Sequence, residues 1–258
     1  MTKFIRQGWL SYKAKYSFVS PINYFINMIL NPTLQLSFFA IMIKFAYSEN
    51  NISTWIIGNS FLLASMNSVF IVGNLVRGER STGTLKYLIA SPINKFKIFM
   101  SLGLFHSIDI TLRVSIGFIV GYLFFNFDLL EINLLMLTLS ILSGMLSGLA
   151  FGMLIGSIAF VTTEIHIFLN SMEQILILFT GALFSVNRLP SQIRWISEVV
   201  PLRKSIEASR LLLTNDSSNF YNLLLQETTL SIIMMVLGYY TFQFFSNLAK
   251  KKASIDLY

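Results

Sequence analysis

Six long apolar runs, separated by short polar segments, dominate the pattern of hydrophobic and polar positions along this chain. An α-helix rises about 1.5 Å per residue, so about 20 apolar residues cross the roughly 30 Å hydrocarbon core of a bilayer. Backbone groups in lipid must be satisfied within the protein, which favours helices, and the runs are too long for barrel strands. Pro32 should kink the first helix, because its ring removes one backbone hydrogen bond. The pattern predicts an all-α polytopic membrane protein, one domain over 1–258, with six transmembrane helices at about 22–43, 54–76, 98–125, 132–160, 165–187 and 228–249.

The composition agrees with a bilayer as the solvent. Hydrophobic residues make up 54% of the chain and Phe occurs 24 times. Charged residues reach only 12%, against about 25% in soluble domains. The chain has no Cys, which excludes disulfides, thiolate zinc ligands and thiol nucleophiles. We therefore expect a membrane protein without a metal site.

The distribution of basic residues predicts the orientation. Segments 1–20, 77–97 and 250–252 hold twelve Lys and Arg residues, whereas the short loops 48–53 and 126–131 hold none. Cytoplasmic loops of membrane proteins carry this excess, so both termini are expected in the cytoplasm of a cell whose plasma membrane holds the protein. One segment disagrees with this orientation, because 188–227 holds five basic residues although it would lie on the external side of the membrane. The net charge of +7 is explained by the same rule, and no nucleic acid partner is expected.

Two segments outside the spans have an amphipathic pattern. In residues 1–20, Ile5, Trp9, Tyr12 and Tyr16 share one helical face beside basic residues, which favours an interfacial helix on membrane lipid over a disordered tail or a signal peptide. In residues 188–212, the apolar positions 193, 196, 199 and 200 precede Pro201. This pattern predicts short external helices that enter the outer leaflet or cover a cavity, and the alternative is a solvated loop.

Ionisable residues inside the third span are candidates for function. His106, Asp109 and Arg113 fall on one face, with Asp109 near the middle of the bilayer. An isolated charge there is costly, so an intramembrane Asp109–Arg113 ion pair is expected. A proton or ion relay is the alternative to a structural pair.

Small and polar residues predict how the spans pack. Gly144, Gly148, Gly152 and Gly156 recur at every fourth position of the fourth span, a ridge that allows another helix to approach closely. Polar side chains also share faces of the second and fifth spans, where they are expected to join helices by hydrogen bonds. They are Asn67, Asn74, His166, Asn170 and Glu173. Glu173 has no partner within its own helix, so contact with cargo or water is the alternative.

The basic segment 77–97 is expected to contain a short amphipathic helix. Leu85, Leu88 and Ile89 share one face, and Pro92 forces the chain to restart before the third span. Such a helix either rests on anionic lipid or inserts into a groove of a soluble partner.

This segment resembles the first cytoplasmic loop of the ABC-2 type transmembrane subunits of ATP-binding-cassette transporters, which reads approximately E-R-x-x-G-T-L-E-x-L-x-x-S-P. Segment 188–210 also resembles the family, with Leu189-Pro190, Trp195, Pro201 and Arg210 at the usual spacing. The chain departs from the loop pattern at Lys86, where the family usually has Glu. The matching loop positions are Glu79, Arg80, Gly83, Thr84, Leu85, Leu88, Ser91 and Pro92.

The resemblance implies that the loop is a coupling helix, which docks into a separate ABC ATPase subunit. It also implies a second permease copy, identical or related, with the second and fifth spans lining the substrate path. The chain itself carries no nucleotide motif: Gly78 and Gly83 have the spacing of a phosphate-binding loop, but Thr84-Leu85 follow where Lys and Ser/Thr are required. The chain is therefore not expected to be an enzyme or to hold a cofactor, and ATP and Mg belong to the partner.

Three functions compete at this point. The first is the transmembrane subunit of an ABC exporter for an amphiphilic or hydrophobic substrate, such as a drug, a lipid-linked glycan or an antimicrobial peptide. The second is an ion- or proton-coupled secondary transporter that uses Asp109, Arg113 and Glu173, although no internal repeat of the usual kind is present. The third, a membrane scaffold or sensor, is disfavoured by the polar faces. The residue usage also favours a bacterial source.

Overall fold

The computed structural model describes residues 5–6, 8–10, 12–13, 20–46, 52–125, 127, 132–213 and 218–252, with the backbone alone at positions 44, 46, 64, 67, 68, 107 and 252. Secondary structure in these residues is helical, with no strand among them. In chain order the helices are α1 (Pro21–Phe25), a π-helix (Ile26–Leu30), α2 (Asn31–Ala46), α3 (Ile52–Gly73), α4 (Leu75–Ser81), α5 (Leu85–Ala90), α6 (Lys95–Phe125), α7 (Leu134–Gly156), a 3-10 helix (Ser157–Phe160), α8 (Ile165–Phe179), a 3-10 helix (Val186–Arg188), α9 (Ser191–Arg194), α10 (Ile196–Val199), α11 (Arg203–Leu211) and α12 (Phe220–Lys252).

The all-helical fold predicted from the sequence is confirmed. Four stretches are long and apolar enough to cross a membrane, and shorter apolar helices occur at Ile52–Leu63 and Ile165–Phe179. The helix α3 that contains the first of these is itself 22 residues long, or about 33 Å at 1.5 Å per residue. The six-span topology stays a prediction. The four long stretches are Pro21–Ile43, Lys95–Phe125, Leu134–Phe160 and Phe220–Lys251.

The first long helix changes its geometry just before Pro32. Residues Ile26–Leu30 form a π-helix, and the N–H of Asn31 donates to the carbonyl of Ile26, five residues back. Pro32 has no N–H for the α-helical bond to Met28, so one turn of the ladder is already interrupted at this point. The helix therefore has one wider turn just before Pro32, and the kink expected at Pro32 stays a prediction.

Two helix boundaries differ from the sequence prediction. The fifth apolar run was expected to stay helical to 187, but α8 ends at Phe179. Gly181 follows with φ at +75°, a left-handed conformation that ends a helix and favours glycine. The last helix, expected over 228–249, begins earlier, at Phe220. The helix therefore has two more turns at its start than predicted, and Glu227 lies within them.

The centre of the bundle is α7, which packs against α3 and α12. Its glycine ridge lies against α3 of the same chain: a methyl group added at Gly152 would lie 2.9 Å from Cβ of Val72. A methyl group added at Gly156 would lie 3.0 Å from Cα of Gly73. Glycine at these positions lets the two helices approach at backbone distance, as small residues do in membrane bundles.

We expect Gly156→Leu to destabilise the protein by about 1–3 kcal/mol, because the new side chain must push α3 and α7 apart. Gly78→Leu is the matched control, since a side chain at Gly78 meets no atom within 4 Å. Thermal unfolding of the purified variants in detergent measures the difference. Equal unfolding temperatures for the two variants would show that the helices are not in close contact.

Candidate functional site

The loop after α3 is shaped by a tight turn between α4 and α5. Gly83 has φ at +71°, and the backbone N–H of Thr84 donates to the carbonyl oxygen of Glu79 at 3.0 Å. The Thr84 hydroxyl donates to the same carbonyl at 3.0 Å and also to the Glu79 carboxylate. The glycine permits the left-handed turn, and Glu79 and Thr84 close it.

Arg80 attaches this loop to the end of α7. Its Nη2 donates to the carbonyl oxygen of Phe160 at 2.7 Å, the last residue of the 3-10 helix that continues α7. The last carbonyls of a helix lack partners within the helix and carry partial negative charge, so a guanidinium is a suitable cap. Burial lowers the pKa of Arg80, although an arginine remains protonated at neutral pH.

The short helix expected in the loop is α5, and it has a buried and an exposed side. Leu85 and Ile89 are buried, which fixes the helix on the bundle. Tyr87 is 70% exposed and Ile93 is 54% exposed, and the Lys86 ammonium lies 5.5 Å from the centre of the Tyr87 ring. We call Lys86, Tyr87 and Ile93 the loop tip. The sequence motif therefore consists largely of residues that shape the loop. The exposed surface is the loop tip, of which sequence reasoning named Lys86 but missed Tyr87 and Ile93.

The remaining motif positions end the loop helix. The Ser91 hydroxyl donates to the carbonyl of Leu88 at 2.8 Å, while Ser91 takes an extended conformation that suits the residue before Pro92. Leu88 is half-buried and Pro92 is exposed. This hydrogen bond and the extended conformation of Ser91 before Pro92 end α5 and redirect the chain into α6.

At the opposite end of α3, Arg210 joins three segments of the chain. Its Nε donates to the carbonyl of Thr54 at 3.0 Å, Nη1 to that of Gly181 at 2.9 Å and Nη2 to that of Ala182 at 2.9 Å. Burial lowers the pKa of Arg210 to about 10, which leaves it protonated at neutral pH. A side chain at Gly58 would collide with the guanidinium. Arg210 thus holds α11 against the start of α3 and the end of α8.

Glu227 joins α12 to the other end of α11, and sequence reasoning missed it. The carboxylate is fully buried and accepts from the backbone N–H of Leu202 at 2.6 Å and of Lys204 at 3.1 Å. The Leu202 N–H also donates to the Ser147 hydroxyl of α7 at 3.1 Å. Leu202 offers no capping side chain, so Glu227 satisfies the first amides of α11 and meets its positive dipole end.

The predicted external segment enters the bundle at α11. The hydroxyls of Ser205 and Ser143 lie 3.1 Å apart, and Ser143 is about 13 Å along α7 from Leu134 at 1.5 Å per residue. The apolar face expected for this segment is only partly buried, because Val199 is 53% exposed. The segment therefore folds back between helices and does not lie on the outer surface as a free loop.

A pocket of about 430 Å³ opens beside this segment. Its apolar wall includes Ile43, Trp55 and Phe184, and its polar wall includes Arg188 and Arg210. The indole Nε1 of Trp55 is buried without a hydrogen-bond partner among the described residues. We call this cavity the Arg210 pocket. Its mixture of apolar, cationic and unsatisfied polar groups suits a molecule with an apolar body and an anionic or hydrogen-bonding head.

A second set of charges covers the rim of the Arg210 pocket. Arg203, which lines the pocket, forms an ion pair with Glu198, and the Lys204 ammonium lies 2.7 Å from the same carboxylate. Burial alone would raise the pKa of Glu198, but the hydrogen bonds from Lys204 and Arg203 hold it below its ordinary value. The two cations share one carboxylate, so this group keeps a net charge of +1. The carboxylate of Glu207 also lines the pocket, and Arg188 is an exposed cation there.

The polar residues predicted on the second and fifth spans lie on neighbouring helices. Phe70 of α3 stacks on His166 of α8 with ring centres 6.1 Å apart, and Arg77 contacts the same imidazole. Asn74 donates to the carbonyl of Phe70 at 2.8 Å. The side chain of Asn67 lies outside the described residues. On α8, Glu173 is half-buried, while the polar residues Asn170, Ser171 and Gln174 are exposed.

The third span carries its ionisable cluster in the interior. Asp109 is fully buried and accepts a hydrogen bond from the Tyr12 hydroxyl at 2.9 Å, and His106 Nδ1 lies 3.6 Å from its other oxygen. Tyr12 is one of the described helical residues near the N-terminus, and through this bond it contacts α6. The interfacial helix predicted over 1–20 lies largely outside the described residues. Arg113 lines a separate pocket with Asn31 and other residues of the first helix. The predicted Asp109–Arg113 pair stays a prediction.

Comparison with known families gives one match. Residues 8–214 match the sequence model of a family described as ABC-2 type transporter. The match includes the loop at 77–97 and the external segment as far as Arg210, and it ends before α12. None of the curated proteins matches the chain.

We expect Arg210→Gln to lower the free energy of unfolding by about 1–3 kcal/mol, because three carbonyl groups lose their shared charged donor. Arg188→Gln removes the same charge from an exposed position of the same pocket and should leave stability unchanged. Thermal unfolding of both variants in detergent provides the comparison. A matching loss in Arg188→Gln would mean that pocket charge, and not the three carbonyl bonds, determines stability.

Proposed function

The chain belongs to the ABC-2 type transporter family, and from this membership we propose that it is the membrane subunit of an exporter worked through residues 77–97. The membrane domain of this family carries no ATPase, so a partner subunit hydrolyses ATP and no cofactor site is expected in this chain. The resemblance read from the loop motif is thereby confirmed. The protein is a multi-pass membrane protein, and the finer points of topology, partner and cargo are proposals.

Our topology has six spans with both termini in the cytoplasm of a bacterial cell. It is supported by a second pocket, at the other end of the molecule from the Arg210 pocket. Both Lys95, at the end of the 77–97 loop, and Lys250, near the end of α12, line it. Two basic segments counted for the orientation therefore lie at one end of the molecule. The fifth span would be α8, which has 15 residues and is about 22 Å long, completed by the irregular segment after Gly181.

The docking of an ATPase is the step on which this function depends. The observation that supports it most is the position of α5. Leu85 and Ile89 fix this helix on the bundle, while the loop tip is exposed at the same end. An apolar and cationic tip on a fixed helix suits a groove in a soluble partner. Glu79, Arg80, Gly83 and Thr84 would act indirectly, by holding this shape.

The displacement of the loop would pass to the Arg210 pocket through α7. Arg80 joins the loop to Phe160 at one end of this helix. Further along the helix, Ser147 contacts Leu202 and Ser143 contacts Ser205 of α11. Packed helices move as rigid bodies, so closure of the ATPase dimer would shift α7 and α11 together and change access to the pocket.

A second permease copy would cover the exposed polar face of α8. Asn170, Ser171 and Gln174 are exposed on a helix whose remaining residues, apart from His166 and Glu173, are apolar. Polar side chains facing lipid are unfavourable, so membrane proteins turn them towards protein or an aqueous path. We propose that α8, with Glu173 and Asn74 nearby, borders the path between two copies of this chain or between this chain and a related one.

The cargo that fits the Arg210 pocket is an amphiphile. Its apolar wall would hold the body of a drug, a lipid-linked glycan or an antimicrobial peptide, and Arg188 would meet an anionic head. Outward transport follows the family resemblance. The pocket has a volume of about 430 Å³. It would hold part of such a molecule, as one binding position on the transport path.

One observation favours ion- or proton-coupled transport as the second candidate. Asp109 and His106, both buried on α6, form a chain of exchangeable groups with the half-buried Tyr12, and Glu173 is half-buried on α8. Such groups within a membrane can carry protons. Transport that follows an imposed proton gradient in vesicles without any ATPase would favour this function.

The decisive variant is Tyr87→Ala, which removes the more exposed of the two apolar side chains of the loop tip. We expect the partner ATPase to be lost when this variant is purified from membranes with a tag, while the melting temperature stays unchanged. Tyr221→Ala is the control, because Tyr221 is 60% exposed and lies roughly 40 Å from Lys250 along α12.

Retention of the ATPase by Tyr87→Ala, to the level of Tyr221→Ala, would contradict docking on the loop tip. Loss of the ATPase by both variants would also contradict it, because Tyr221 lies at the other end of the molecule. The rate of ATP hydrolysis by the purified complexes is a second measurement that compares Tyr87→Ala with Tyr221→Ala.

A further inference from the structure

A pocket of about 370 Å³ lies where α6 begins and α12 ends. One side is formed by Asn94, Lys95 and Phe96, and the facing side by Phe242, Asn247 and Lys250. The pocket is distinct from the Arg210 pocket, which lies at the other end of α3. Ile93 of the loop tip also borders the pocket, whereas the proposed substrate path uses none of its residues.

The charges of this pocket are not balanced. Lys250 exerts a repulsive Coulomb effect on Lys95, and no carboxylate forms a salt bridge with either side chain in the part of the chain that the structure describes. The Lys95 ammonium donates to the carbonyl of Ser91 at 2.6 Å, which leaves two of its three hydrogens for another acceptor. Two neighbouring ammonium groups at the edge of an apolar bundle are stabilised by an anion between them.

The polar groups beside the two lysines are hydrogen-bond donors suited to an anion. Asn94 precedes the first residue of α6, whose first N–H groups have no acceptors within the helix, although the Asn94 side chain accepts from Lys97 N–H at 3.4 Å. Asn247 lies on the facing helix. With Lys95 and Lys250, these groups make a site for the oxygens of a phosphate.

The floor and surroundings of the pocket are apolar. Phe96 packs edge-to-face on Phe242, with ring centres 5.7 Å apart, and in the same manner on Tyr239 at 5.6 Å. Tyr240 and Phe244, on the same stretch of α12, are mostly exposed. An acyl chain can therefore run along α12 from a head held between the lysines. A free phosphate would leave this apolar surface unused.

We propose that this pocket binds the phosphate headgroup of an anionic phospholipid of the cytoplasmic leaflet. The choice of leaflet rests on the proposed topology, in which the loop at 77–97 is cytoplasmic. Basic pockets between helices on that side of a membrane are sites for anionic lipid heads. The pocket also includes Pro92 and Ile93, so a bound lipid would stabilise the chain between α5 and α6 and adjust the position of the loop tip.

Native mass spectrometry of the purified chain, without any ATPase, tests the site directly. We expect phosphatidylglycerol adducts on the unaltered chain and fewer adducts on Lys250→Gln, with an apparent affinity about fivefold lower, the factor that corresponds to about 1 kcal/mol per lysine near anionic lipid. Lys251→Gln is the matched control, because Lys251 is exposed one residue further and does not line the pocket. Lys250→Arg keeps the charge and should keep the affinity.

Three results would overturn the proposal. The first is equal phosphatidylglycerol binding by Lys250→Gln and Lys251→Gln. The second is binding of phosphatidylcholine to the unaltered chain as strong as that of phosphatidylglycerol, since the zwitterionic head would then need no cationic site. The third is displacement of the lipid by millimolar inorganic phosphate, which would identify a free-anion site. Because no ATPase is present, failure of docking at the loop tip leaves all three readouts intact.

Discussion

The structure depends on charged side chains that satisfy the backbone groups at the ends of broken helices. Arg80 binds the last carbonyl after α7, Arg210 binds three carbonyls near the ends of α3 and α8, and Glu227 binds the first amides of α11. Buried backbone groups have no access to water, so each must find a partner within the protein. Each of the three charges comes from a different element and thereby joins segments that are distant in sequence.

These contacts connect the loop after α3 with the segment around α11, through α7. The glycine ridge of α7 lies against α3, and the same helix bears the acceptor for Arg80 at its end and the serines that meet α11 within it. The loop and the segment beside the Arg210 pocket are therefore both in contact with one helix, α7. This arrangement is the one that the proposed coupling to a partner ATPase requires.

The sequence predicted those parts of the fold that depend on local periodicity. The long apolar helices and the short helix at Leu85–Ala90 follow from spacing. The early end of α8 was missed because Gly181 lies inside an apolar run that reads as continuous. Glu227 was missed because its partners, Leu202 and Lys204, lie more than 20 residues away, and no local pattern identifies a cap at that distance. Tyr87 was missed because the family motif directs attention to residues that shape the loop.

The most direct test of the account is whether nucleotide at one end changes the pocket at the other. The chain has no Cys, so Phe184→Cys gives a single labelling site in the Arg210 pocket. In proteoliposomes that contain the ATPase complex, the rate of labelling by a membrane-impermeant maleimide should change several-fold when a non-hydrolysable ATP analogue is added. An unchanged rate in a complex that binds and hydrolyses ATP would contradict mechanical coupling from the loop to the pocket.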